Sequence, residues 1–118
     1  MKTPTLETII NHFKMTPHPE GGYYAETYRS DEIYKTNRGD RSSSTAIYFL
    51  LGANDRSKRH RLKSDEIWHF HLGAPVEIIC TNDQEEVIKR DGLSNQILEG
   101  HSPQIIIRKN TWFEAHPL

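Results

Sequence analysis

The sequence predicts an all-β fold, an antiparallel sandwich or barrel entered through one short helix. Three observations predict it. Short apolar and aromatic runs recur along the 118 residues at near-regular intervals, each bounded by Gly, Pro, Asn, Asp or Ser, as in hairpin-connected strands. Within a run the side chains alternate: Tyr24, Glu26 and Tyr28 fall on one face, Tyr23, Ala25, Thr27 and Arg29 on the other, which is the period of a half-buried strand. At the N-terminus Leu6, Ile9, Ile10 and Phe13 recur instead at helical spacing.

Taken in order, Thr3-Pro4 supplies a hydroxyl cap and a first-turn proline for that helix, and Pro17 and Pro19 end it. Its apolar face is expected to cover one end of a sheet. Gly21-Gly22 forces a turn into a strand over 23–29. Residues 30–44 are polar and read as a mobile loop or short ribbon. The Arg38-Gly39-Asp40 tripeptide inside it is read as chance. Residues 45–51, TAIYFLL, form a near-continuous apolar strand that is expected to be central. After the turn at 52–55, strands are expected at about 59–63, 66–72, 76–81, 85–90, 94–98, 104–108 and 112–115. Ser64-Asp65, Gly73-Ala74-Pro75, Asp91-Gly92 and Gly100-His101-Ser102-Pro103 separate them. There is no repeat and no sign of a boundary, so one domain over 1–118 is expected.

Composition narrows the partners. Fifteen basic and sixteen acidic residues give a net charge of -1, without the basic footprint a nucleic-acid binder needs. The single cysteine, Cys80, cannot form an intrachain disulfide or a Cys-based zinc cage. Its setting in VEIIC makes it a buried structural thiol. No apolar run approaches the roughly 18–20 residues of a membrane span, and the N-terminus lacks a signal-peptide pattern. The expectation is a cytoplasmic protein with no membrane or nucleic-acid partner.

Chemistry concentrates in residues 60–73, HRLKSDEIWHFHLG. A tight turn at 63–65 makes a hairpin that sets His60 and Leu62 beside Glu66 on one wall. In the second strand the Glu66, Trp68, Phe70, Leu72 set is the more hydrophobic and takes the interior, which turns His69 and His71 outward. An imidazole beside a carboxylate suits general acid–base work, a shared metal, or a purely structural anchor. Arg56, Lys58, Arg59, Arg61 and Lys63 either steer an anionic substrate or form a solvated outer face. Alternation places Arg59, Arg61 and Lys63 opposite His60, which favours the solvated face. Tyr23, Tyr24, Tyr28, Tyr48 and Trp68 suit the lining of a sugar or nucleoside pocket, and equally an ordinary core. Trp68, Phe70, Glu20, Glu26 and Ser64 are the expected ligand contacts. There is no phosphate-binding glycine loop and no nucleophile elbow.

Three segments, HPEGGYYAETYRS at 18–30, STAIYFLL at 44–51 and SKRHRLKSDEIWHFHLGAPVEI at 57–78, resemble in that order the cupin_5 (DUF985) group of RmlC-like cupins. The resemblance spans about residues 5–115. It implies a cupin jelly-roll (double-stranded β-helix) barrel with an internal pocket, a homodimer, and kinship in shape with sugar-nucleotide epimerases. The general cupin signature is present in decayed form. His60, Glu66 and Gly73 fit its first motif, with Leu62 in place of the second histidine. The second motif, Pro-x-Gly-x-x-His, falls on Arg108, Asn110 and Phe113. Two protein donors, His60 and Glu66, make a poor site for a divalent metal. The family continues past the Trp-Phe segment, so the chain is expected to be C-terminally short, with an edge that a partner subunit covers. The implied function is metal-independent binding of a small polar ligand, carbohydrate- or nucleotide-sugar-like. The alternative is a sugar epimerase or isomerase with His60 as base, Glu66 as its orienter or the acid, and Tyr24 or Tyr48 as the opposing acid. A metal-dependent cupin enzyme ranks third.

Overall fold

A computed structural model describes residues 3–118. In chain order its elements are α1 (Leu6–Phe13), β1 (Thr16–Pro17), β2 (Tyr23–Arg29), β3 (Ile33–Thr36), β4 (Gly39–Ser42) and β5 (Thr45–Leu50). There follow β6 (Ser57–His60), β7 (Glu66–His69), β8 (Val76–Thr81), β9 (Val87–Leu93), β10 (Gln104–Ile107) and β11 (Trp112–Pro117). The fold is all-β with one short helix. Its residues group into two compact units, 3–18 with 23–50, and 19–22 with 51–118.

In the first unit α1 begins two residues later than the Thr3-Pro4 signal predicts. Thr5 is extended, and its hydroxyl accepts the Thr8 N–H at 3.1 Å. A cap needs that extended backbone so that its oxygen can turn back on the first free N–H groups. The helix closes at Lys14 in the left-handed conformation, φ 54°, ahead of Pro17. Phe13 packs on Tyr48 of β5 with ring centroids 4.8 Å apart, the covering role expected of it. Three strands pair in the order β1-β2-β5. The polar stretch after β2 folds into the β3–β4 ribbon. β5 is not central: it takes an outer place, and Thr45 to Tyr48 are exposed. A continuous apolar run does not by itself distinguish a central strand from an outer one.

The second unit holds a four-stranded antiparallel sheet, order β6-β11-β8-β9, and a β10–β7 pair. Alternation in β8, β10 and β11 turns Ile78 and Cys80, Ile105 and Ile107, and Phe113 and Ala115 to one side. With Leu93 they form the buried core, and Trp68, Phe70 and Val76 pack against it. On the opposite face Arg59 is not solvated as expected. It donates from Nε to the Thr81 hydroxyl at 2.9 Å and from Nη2 to the Asn82 carbonyl at 3.0 Å, with its guanidinium 4.2 Å over the Trp112 ring. A planar fork can satisfy two acceptors and an aromatic face together, which draws it down onto the sheet.

Residues 94–98 are not a strand. Buried Ser94 accepts the Gln96 N–H at 3.0 Å and lies 2.8 Å from Nδ1 of His101, and a 3-10 turn follows at Ile97–Glu99. A serine hydroxyl that bonds the local backbone competes with strand pairing. The His101 ring rests on Gly92, where a Cβ would come within 2.3 Å of it. β9 itself carries a bulge opposite Cys80 and Thr81. Its core-facing positions, paired with Cys80 and Ile78, are Lys89 and Asp91, which form a 3.4 Å ion pair.

Candidate functional site

The expected 60–66 hairpin does not form. β6 pairs with β11, placing His60 opposite Phe113, whereas β7 pairs with β10, placing Glu66 opposite Ile107 and Trp68 opposite Ile105. The connection between β6 and β7 is fastened to the turn that joins β10 to β11. Lys109 donates its N–H to Asp65 Oδ1 at 2.8 Å, Arg108 lies 3.6 Å from the same carboxylate, and Asn110 donates its N–H to the Leu62 carbonyl at 2.7 Å. These bonds hold Leu62 by its backbone, and its side chain is exposed rather than turned inward beside Glu66.

His60 and Glu66 are nevertheless linked, through Phe113 and Trp68 in turn. The His60 ring lies 4.4 Å from the Phe113 ring, and Trp68 meets that ring edge-on at 6.2 Å. The Trp68 indole N–H donates to the Glu66 carboxylate. His60 Nδ1 lies 2.6 Å from the Lys58 carbonyl. A carbonyl only accepts, so Nδ1 carries the proton and Nε2 of the neutral ring has a free lone pair. The group thus joins a half-buried imidazole in direct contact with the Phe113 ring, 1% exposed, to a half-buried carboxylate reached from that ring through Trp68.

Other expected residues are distributed as follows. Phe70 packs against the core, and Glu20 belongs to the same unit, its backbone carbonyl meeting β6. Ser64 is exposed in the 62–65 turn, and His69 and His71 are exposed, as alternation predicts. Tyr24, Glu26 and Tyr48 belong to the other unit. There Tyr24 meets His18 at 5.1 Å, Glu26 pairs with Arg29 at 2.7 Å, and Tyr48 meets Phe13. Phe113, the centre of the arrangement, entered the sequence reading only as a missing histidine. Its alternation with Ala115 in WFEA was the signal that marks it as core.

The donor set does not fit a divalent metal. Beside His60 and Glu66, the two remaining signature positions hold an exposed leucine and a buried phenylalanine. Among the described residues no group of three or more His, Cys, Asp or Glu side chains is arranged to hold a metal ion, and transition-metal sites generally need three or more protein donors. The backbone of the second motif is better kept than its side chains: Asn110, where the signature has glycine, retains a positive φ of 64°, a conformation asparagine tolerates.

The family model for the Cupin superfamily (DUF985) matches residues 7–118. The chain belongs to that family. Two solved cupin-like structures resemble it over nearly its whole length. A hypothetical protein from Leishmania major superposes with a TM-score of 0.83 at 32% identity, over 96% of this chain and 70% of that one. An X-ray structure of a Shewanella oneidensis protein superposes with a TM-score of 0.88 at 29% identity, over 98% of this chain and 70% of that one. A comparison with curated proteins found no match. No helix among the described residues of this cupin is long and apolar enough to cross a membrane.

Proposed function

We propose that this cupin binds a small hydroxyl-rich organic molecule, carbohydrate- or nucleotide-sugar-like, at His60 and Glu66 without a metal. The supporting observation is the hydrogen-bonding character of the pair. Nε2 of His60 accepts once Nδ1 is committed to Lys58, and the Glu66 carboxylate is an acceptor too. Two acceptors call for a ligand that brings donors, and hydroxyl groups meet that need. The half-buried Trp68 supplies the aromatic surface against which a sugar ring packs, and the buried Phe113 ring supports it from below. Native mass spectrometry of freshly purified protein, followed by thermal-shift screening against sugars and sugar nucleotides, tests the reading. The expected result is a bound or stabilising sugar whose effect is lost in His60→Ala and in Glu66→Gln. A ligand whose effect survives both substitutions overturns it, as does the absence of any hit across the panel.

The same lone pair supports a second reading, an epimerase or isomerase in which Nε2 of His60 removes a proton from a sugar carbon. Deuterium uptake from solvent into a bound sugar nucleotide, abolished by His60→Ala, supports turnover; binding without exchange rejects it. The reading also takes the working protein to be a homodimer, and a monomer mass by light scattering after gel filtration refutes that part.

A further inference from the structure

We infer that the Glu20-Gly21 main chain is a positioning element for His60, fixing through Lys58 which ring nitrogen carries the proton. The inference rests on the reading above in one respect, that Nε2 of His60 is the atom that meets the ligand. Lys58 lies on β6, an outer strand of the four-stranded sheet. In an antiparallel strand the N–H and C=O of one residue point to the same side. Both Lys58 groups are used by neighbours other than β11. Its N–H donates to the Glu20 carbonyl at 2.7 Å, and its own carbonyl accepts Nδ1–H of His60 at 2.6 Å. Lys58 is therefore held through its N–H and holds His60 through its C=O, both on the side of the strand away from β11.

Glu20 reaches Lys58 only because the next residue has no side chain. A Cβ on Gly21 would lie 2.0 Å from the Arg56 carbonyl oxygen and 3.1 Å from its carbon, and the backbone there has φ +116°. Both facts demand glycine: the first is a collision with backbone that no rotamer relieves, and the second is a conformation that L side chains rarely adopt. With any other residue the turn must draw back from β6, and the Glu20–Lys58 bond opens with it. The 57–58 peptide that carries the Lys58 N–H is then released, the Lys58 backbone dihedrals relax, and the carbonyl of the 58–59 peptide leaves Nδ1. A neutral imidazole without that acceptor exchanges its proton between the two nitrogens, and Nε2 ceases to be a dedicated acceptor. Glu20, expected from the sequence to be a ligand contact, acts in this relay through its backbone oxygen.

Long-range nitrogen–proton correlation spectra of the histidine rings test this directly, recorded about two units above the ordinary imidazole titration near pH 6.5. In the wild-type protein His60 is expected to show a protonated Nδ1 and an unprotonated Nε2. A protonated Nε2, or an average of the two forms, overturns the inference. In Gly21→Ala the amide resonances of β8, β9 and β11 are expected to keep their positions while His60 collapses to the exchange average. A folded Gly21→Ala protein with the wild-type His60 pattern overturns it as well. Should Gly21→Ala not fold, the through-hydrogen-bond coupling between the Lys58 nitrogen and the Glu20 carbonyl carbon in wild-type protein decides: its presence supports the relay and its absence refutes it. None of these spectra needs a ligand. Failure of the binding screen therefore leaves them standing, and an averaged His60 leaves the binding result standing.

Discussion

Phe113→Ala is the most exposing single test of how this molecule is built. Phe113 is 1% exposed, and it packs with Ile78, Cys80, Ile105 and Ile107 in the core of the second unit. It also carries ring contacts to His60 at 4.4 Å and to Trp68 at 6.2 Å. Truncating a buried phenylalanine costs about 3–5 kcal/mol, from lost transfer free energy and from the cavity left behind. Against the roughly 5–15 kcal/mol of a typical domain, that removes between a fifth and all of the stability. With a urea slope near 2 kcal/mol/M, ordinary for small proteins, the unfolding midpoint should fall by roughly 2 M. The two rings that rest on Phe113 lose their common support, so Trp68 fluorescence and the His60 ring resonances should change in the folded variant. Phe113→Leu refills most of the space and should recover more than half of the loss. Urea titration followed by circular dichroism and by fluorescence measures both. A loss below about 1 kcal/mol, the ordinary effect of an arbitrary substitution, refutes the reading of Phe113 as the packed link between His60 and Glu66.

Two other outcomes are expected. Gly92→Ala drives a methyl into the His101 ring, which must swing away and break its bond to Ser94; the buried hydroxyl keeps the Gln96 N–H but loses its side-chain partner, at a cost of about 1 kcal/mol. In a Ser94→Ala background the same substitution should cost measurably less, since the bond is already gone, and equal losses in the two backgrounds refute the coupling. Cys80 supplies a pH test. Burial, with the nearby Asp91 carboxylate, pushes its thiol above its ordinary value, while Lys89 pulls the other way. The folded protein therefore favours the protonated thiol. The stabilisation is fully present below about pH 8.5, the unfolded value, and is lost as pH rises through the folded one. Relative to Cys80→Ala, the wild type should lose stability above that pH in chemical denaturation, and parallel profiles refute it.

What was legible in the sequence was local. β2 and β8 lie within a residue or so of their expected bounds, because alternation bounded by turn residues is a property of the strand itself. The outward direction of His69 and His71 followed from the same period. The family resemblance carried the fold, which no periodicity could order into sheets. Pairing was not legible. Lys63-Ser64-Asp65 looks like a hairpin turn, but Asp65 and Leu62 spend their hydrogen bonds on residues 108–110, some 44 positions away, and β6 and β7 go to different partners. That choice depends on contacts distant in sequence, which short-range turn chemistry does not encode. β5 was misplaced for a related reason: its apolar content reports neither its burial nor its place in the order, and Thr45 to Tyr48 are exposed on an outer strand. In the 94–98 segment the serine-led turn outcompeted a weak strand signal.

The two outer strands of the four-stranded sheet differ from each other in how they end it. Along β6 the Glu20 carbonyl already occupies the Lys58 N–H, so an arriving strand finds that donor taken. Along β9 the bulge opposite Cys80 breaks the regular ladder, and Lys89 and Asp91 point charges toward the core side. Both are devices by which natural sheets refuse edge-to-edge growth. Each outer strand thus carries a local feature that disfavours strand addition along it.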